Sequence, residues 1–458
     1  MQKALRLNEI DAAVNKFVPV TPEHPFYVNF ENLRGDFQER EVMSMLNVSK
    51  LGDLYTFDYK INRNNKTLLF LAGMRGSGKT SELAKYARLL HTPDCFFVVT
   101  CNIDEELDMD NVQYMDILIF QLEKLLTRAA EVNLTLDDSI LESMSKWFQD
   151  RVTEINRSIT AGGGLEMETG IGQDDSPFSI KGILGKLLGI TLKLKAELSG
   201  SYERAENVRE TFRRRFVDFS KKFNTFIEQT NDQLRLEGKG QEILFIVDGL
   251  EKTMSAETRR KIIMEESNRI KDIKANTIFT LPIELMKEEQ RIRNFAEIIT
   301  FPFIKIKERD GKRVAAAWKS LEEFIDKRIS AELFDNIETP RMAIEYSGGS
   351  PRQLLRIIER ASWQADSAIG KIMMENMQKA IEKMGNSLAR YIEPTEFELL
   401  KKLKTDLDAG NPIGFDSAIQ SLLEKEILFE YNDGTYKRVN PLLEISKLYK
   451  HHVLEQSS

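Results

Sequence analysis

The sequence predicts an α/β protein: a mostly parallel sheet covered by helices on both faces, then a helical unit, then a small C-terminal domain of winged-helix outline. Three observations lead there. Apolar runs alternate with helical periodicity between residues 67 and 282. After ITFPFIKIKERDG, residues 299–311, the pattern turns helical. The chain then closes on helices and a hairpin with an Asn-Asp-Gly turn.

The elements follow in order. Residues 3–16 read as a short amphipathic helix, and VPVTPEHPFYVNF (18–30) as an extended connector, because residues before proline avoid the helical region. ENLRGDFQEREVMSML (31–46) opens a helix. Residues 67–73 form a candidate buried strand, 81–90 a helix, CFFVVTCNI (95–103) a second strand, and DNVQYMDILIFQLEKLLTRAAE a helix with Ile117, Leu118, Leu122, Leu125 and Leu126 on one side. Residues 150–240 interrupt the alternation as a helical or hairpin insertion. There ITLKLKAEL (190–198) alternates like a half-buried strand and GGLEMETGIG more weakly, which permits a two-stranded hairpin. FSIKGILGKLLG reads as core or as a basic membrane-surface segment, and 202–234 as one long charged helix. EILFIVDGLEK (242–252) is the third strong strand, 255–274 a helix and NTIFTLP (276–282) a fourth strand. Further helices are expected at 311–330, 339–346, 351–362 and 368–385.

Composition bounds the function. With 458 residues, 41% hydrophobic and 30% charged, the chain exceeds one ordinary core. The expected domains are 1–26 (N-terminal helix and connector), 27–305 (core with the 150–240 insertion), 306–386 (helical lid) and 387–458 (winged-helix-like). Sixty-five basic and 72 acidic residues give a net charge of -7, which offers no global attraction to nucleic acid or anionic lipid. Cys95 and Cys101 flank FFVVT as strand-borne thiols, and the four histidines lack metal-ligand spacing. His451 and His452 are expected to face solvent. No run approaches the roughly 18 apolar residues of a membrane span, and the N-terminus lacks a signal-peptide core, so a cytoplasmic protein without membrane contact is expected.

The chemistry concentrates at Gly73-Met74-Arg75-Gly76-Ser77-Gly78-Lys79-Thr80, a match to G-x-x-x-x-G-K-[ST] between a strand and a helix. Glycines let backbone N–H groups converge on phosphate oxygens at the positive end of the following helix. The expected nucleotide-binding residues are therefore Gly73, Arg75, Gly76, Ser77, Gly78, Lys79, Thr80 and Ser81. Lys79 supplies positive charge to the β- and γ-phosphates of ATP, and Thr80 a hard oxygen for Mg²⁺. Asp248, at the C-terminal end of an apolar strand, is the second expected metal-binding residue. Glu251 is the candidate for activating water, its bland alternative being a helix-start acid that favours the dipole. Thr280 ends a strand where it can meet the γ-phosphate or the water. Arg352 stands in the first turn of a helix after SGGSP, where a cation opposes the dipole and suits a counter-anion. The fold class is then a P-loop NTPase three-layer sandwich with lid and winged helix.

These pieces in this order resemble the AAA+ and STAND branch of P-loop ATPases. A closer resemblance is to bacterial ATPases that pair a YVNFENLRG-like segment (27–35) with GMRGSGKTSEL (73–83) and a stretch like DNVQYMDIL (110–118). The resemblance spans about residues 27–360. It implies that Tyr27–Arg40 line an adenine pocket and that Arg352 senses the γ-phosphate. Typical AAA+ enzymes place glutamate directly after the metal-binding aspartate. Here Gly249 follows Asp248 and the acid comes at Glu251, which looks more like slowly hydrolysing STAND switches. Arg291 and Arg293 are the candidates for an arginine finger, and RIRNF equally suits a solvated helix.

The favoured reading is a slow Mg²⁺-dependent ATPase that works as a nucleotide-gated switch, signals to a protein partner in bacterial defence or stress, and forms ATP-dependent homo-oligomers. The alternative is a DNA-loading or initiator AAA+ ATPase using its winged helix. From Arg390 onward nine Lys/Arg face twelve Asp/Glu, which disfavours DNA.

Overall fold

A computed structural model describes all residues except 1, 16–17, 36, 53, 59–65, 162–181, 254, 433, 435 and 456–458. Its centre is a five-stranded parallel sheet built from β3 (Leu68–Gly73), β4 (Phe96–Asn102), β5 (Glu242–Asp248), β6 (Asn276–Pro282) and β7 (Glu297–Thr300), in the order β4-β5-β6-β3-β7. A hairpin of β1 (Val48–Leu51) and β2 (Leu54–Phe57) precedes it. The protein is an α/β protein, and among the described residues no helix is long and apolar enough to cross a membrane.

Side chains leave a strand alternately to its two faces. Leu69, Leu71, Val98, Leu244 and Ile246 enter one core with Leu83, Tyr86 and Leu90 of α1 (Lys79–Leu90). Phe70, Ala72, Phe97, Val99, Phe245 and Val247 enter the other, beneath α2 (Tyr114–Glu131) and its neighbours. Burial on both faces explains why these strands read as continuous apolar runs.

The insertion is helical wherever it is described: α3 (Asp138–Ala161), α4 (Ile183–Leu198), α5 (Tyr202–Arg214) and α6 (Phe216–Leu236). The expected strand at 190–198 is therefore wrong, and the GGLEMETGIG half of the hairpin falls outside the described residues. ITLKLKAEL carries both periods, since Ile190, Leu194 and Leu198 are spaced by four. α2, α3 and α5 surround α4 and bury that helical stripe, which also answers the membrane-surface alternative in favour of core. The long charged helix breaks at Arg215. The helix expected over 255–274 splits into Ala256–Arg260, a π turn Lys261–Glu265 and Ser267–Asp272.

The helical unit comprises α7 (Ala315–Asp326), α8 (Glu338–Ser347), α9 (Pro351–Ser362) and α10 (Met374–Ala389). Ala4, Ile10, Ala13, Val14, Val28 and Phe30 share its core, so the N-terminal segment packs there. Among the described residues, 3–15 form a 3-10 turn and one short helix, Ile10–Ala13. Last come α11 (Pro394–Ala409), α12 (Ser417–Glu424) and an antiparallel hairpin of β8 (Leu428–Tyr431) and β9 (Tyr436–Val439). Their core takes in Met74, Ile283 and Phe303, which seats this unit on the turn after β3. His452 is not free in solvent: its ring stacks on Phe397 at 4.8 Å, while His451 is exposed.

Candidate functional site

The carboxyl ends of β3, β5 and β6 meet at one edge of the sheet, where open α/β sheets bind ligands. A cleft opens there between the turn after β3, the N-terminal connector and the helical unit. Gly76, Gly78, Lys79, Thr80, Ser81, Glu251 and Arg352 line it. Gly73, Arg75, Ser77, Asp248 and Thr280 do not.

The turn's shape follows from its glycines. Gly78 has φ +100°, which L side chains rarely adopt, and it is the N-cap of α1. A Cβ on Gly76 would stand 2.8 Å from the Arg352 Cβ, so only glycine admits α9 this close. Lys79 is 3% exposed, donates to the Gly73 and Met74 carbonyls at 2.8 and 3.0 Å, and has Glu251 Oε1 at 3.7 Å. Ser81 Oγ accepts from Val20 N–H at 3.3 Å and ties the connector to α1.

Behind Lys79 lies an acid pair. Burial pushes the Asp248 carboxyl up to about 6, Glu251 adds to this, and the Thr80 hydroxyl and Lys79 oppose it. Burial also acts to raise Glu251, but Lys79, backbone N–H and the Thr280 hydroxyl outweigh it and hold the group below the usual carboxylate range. Thr280 is fully buried and accepts from Gly249 N–H at 3.1 Å, so it braces the turn that carries Glu251 and does not reach the cleft. Ser77 Oγ, Asp248 Oδ1 and Glu251 Oε2 are sealed from solvent with no hydrogen-bond partner among the described residues. Buried oxygens without partners are costly, and three beside one lysine and a helix N-terminus suit a cation and an anion together.

Arg75 lies on the far side of Glu251, donating to its backbone carbonyl and lining a second cavity with Glu284 and Glu426. Burial lowers Arg352, Arg356 and Arg75 add to this, and Glu426 and Glu251 oppose it. Arg291 and Arg293 form surface pairs with Glu288 and Glu289 at 2.9 and 2.7 Å. Two cleft arginines escaped sequence reasoning as individual residues. Arg34 is 4% exposed, stacks over Phe301 at 4.0 Å and donates to the Pro302 carbonyl at 2.6 Å, and burial pushes it down to about 10. Arg328, at the end of α7, is 3% exposed and pushed down by burial to about 9. NLRGD offers a turn signal near Arg34. Nothing local distinguishes Arg328 from the adjacent Lys327.

Comparison of the chain with protein-family models gives no match, and comparison with curated proteins gives none.

Proposed function

We propose that the cleft binds ATP with Mg²⁺ and that the protein is a slow ATPase of the AAA+/STAND P-loop type, acting as a nucleotide-gated switch on a protein partner. The observation that carries this reading is the group of partnerless buried oxygens on Ser77, Asp248 and Glu251 around Lys79. In this reading Lys79 exchanges its loop carbonyls for phosphate oxygens, and the N–H groups opening α1 receive the rest of the phosphate. Thr80 and Asp248 would hold the metal, whose role when bound is to neutralise phosphate charge. Glu251, ionised and braced by Thr280, orients the attacking water and takes its proton.

The switch has a physical route. Glu426, half-buried between α12 and β8, lies within electrostatic reach of Arg356, Arg352 and Arg75 and lines one cavity with Arg75. The Gln353 and Asn440 side chains exchange hydrogen bonds at 3.0 and 3.1 Å, and Tyr431 donates to the Gly348 carbonyl at 2.7 Å. Arg352 cannot serve the γ-phosphate and Glu426 equally, so ATP favours a different seating of the C-terminal unit. The shift is limited to the differential affinity of ATP for the two seatings.

A protein rather than DNA is favoured as the partner of the winged-helix domain. Lys425, at the end of α12, pairs with Glu396 at 2.7 Å, and buried Lys437 with Glu430 at 3.3 Å, which keeps these two cations from serving phosphates. Calorimetric titration with Mg²⁺–ATP, phosphate release, and mass measurement with and without nucleotide test the reading. An absence of ATP binding by the intact chain would reject it.

A further inference from the structure

We infer that Arg328 is a specificity-determining residue of the cleft, donating a hydrogen bond to N7 of the purine base of a bound nucleotide. The inference rests on the nucleotide reading above and adds to it the class of base.

Arg328 is nearly fully buried, and it has no carboxylate partner among the described residues. Nη1 donates to the Phe26 and Phe324 carbonyls, both at 2.9 Å. The guanidinium lies 3.7 Å from the Phe324 ring centroid and 5.2 Å from that of Phe26. These contacts fix its plane, and among the described residues Nε and Nη2 have no acceptor while the residue lines the cleft. Neither nitrogen is sealed from solvent, so both can meet an acceptor that enters the cleft.

Its place in the cleft identifies the acceptor. A Cβ on Gly78 would meet Arg34 Nη2 at 3.2 Å and one on Gly76 the Arg352 Cβ at 2.8 Å, so both of those arginines belong to the glycine turn where Lys79 sits. Arg328 is held instead by Phe26 and Phe324, in a cleft whose lining also includes Val18, Pro19 and Leu355. Apolar and aromatic walls suit a flat base. Arginine donates and never accepts. On the major-groove edge both purines offer N7 as an acceptor, guanine adding O6, whereas pyrimidines carry carbon at the corresponding C5 position. Arg328 therefore selects purine over pyrimidine without excluding guanine.

The test is a calorimetric titration of the full chain with Mg²⁺–ATP, Mg²⁺–7-deaza-ATP, Mg²⁺–CTP and inorganic tripolyphosphate. A hydrogen bond from a charged donor predicts that the intact protein binds ATP about tenfold more tightly than 7-deaza-ATP. Arg328→Met should erase that difference and leave tripolyphosphate affinity unchanged. Equal affinity of the intact protein for ATP and 7-deaza-ATP overturns the inference even if Arg328→Met does not fold, as does a difference that survives in Arg328→Met. If the intact protein binds neither ATP nor tripolyphosphate, the nucleotide reading itself fails and takes the inference with it.

Discussion

Thr280 Oγ accepts a hydrogen bond from the Gly249 N–H at 3.1 Å, and the same buried hydroxyl helps hold the Glu251 carboxyl below the usual carboxylate range, so one side chain acts on both ends of the turn after β5. Thr280→Val keeps the shape but leaves that N–H without a partner. In the ATPase reading, phosphate release should fall at least about tenfold, with ATP affinity changed less than about threefold, because there the variant disturbs the water-activating Glu251 rather than the phosphate contacts. Equal losses in affinity and turnover would place Thr280 in binding.

In the nucleotide reading, Lys79→Ala should reduce ATP binding below calorimetric detection, since there it removes the cation that meets the phosphates. Retained affinity would remove the central claim.

Asp248 gives two opposite pH effects. Its carboxyl is raised to about 6, above its ordinary value of 3.8, so between these values the folded protein holds a proton that the unfolded chain releases. This group's contribution to apo stability therefore declines as pH rises through that window. Mg²⁺-dependent ATP affinity should run the other way and weaken as pH falls below about 6, because only the carboxylate binds the metal. Asp248→Asn should raise the apo melting temperature at pH near 7, by a gain on the order of 2 kcal/mol, and lose the Mg²⁺ dependence. Thermal unfolding with and without Mg²⁺–ATP across the range measures both.

Glu426→Gln withdraws the acid whose charge acts on Arg352, Arg356 and Arg75. In the switch reading this frees Arg352 for phosphate and should tighten ATP binding several-fold, with faster hydrogen exchange in β8 and β9. Unchanged affinity would detach the C-terminal unit from nucleotide control.

The insertion is pinned to the core by Asp116 of α2 and Arg209 of α5, both buried and joined by Arg209 Nε and Nη2 at 2.6 to 3.2 Å. Arg209→Met should cost about 3–5 kcal/mol in chemical denaturation, because it strands a buried carboxylate. Adding Asp116→Leu should restore part of that loss, and a double variant no better than the single one would deny the coupling.

The sequence by itself determined the strands at 68–73, 96–102, 242–248 and 276–282 and the glycine turn into α1. Each is written in a local pattern: an apolar run long enough to cross a sheet, closed by glycine or an acid. Residues 190–198 show where that reasoning stops, because their spacing fits a strand and a helix, and the groove among α2, α3 and α5 chose the helix. The cleft behaves the same way. Lys79, Thr80, Asp248 and Glu251 stand near one another because β3 and β5 both pair in parallel with β6 and end at the same sheet edge. Arg328 meets Phe26 across 302 residues, Gln353 meets Asn440 across 87, and Tyr431 meets Gly348 across 83, where the C-terminal unit whose core takes in Met74 packs on the helical unit. No local period encodes such contacts. They exist because folding brings distant apolar faces together and carries the polar residues at their edges into one place.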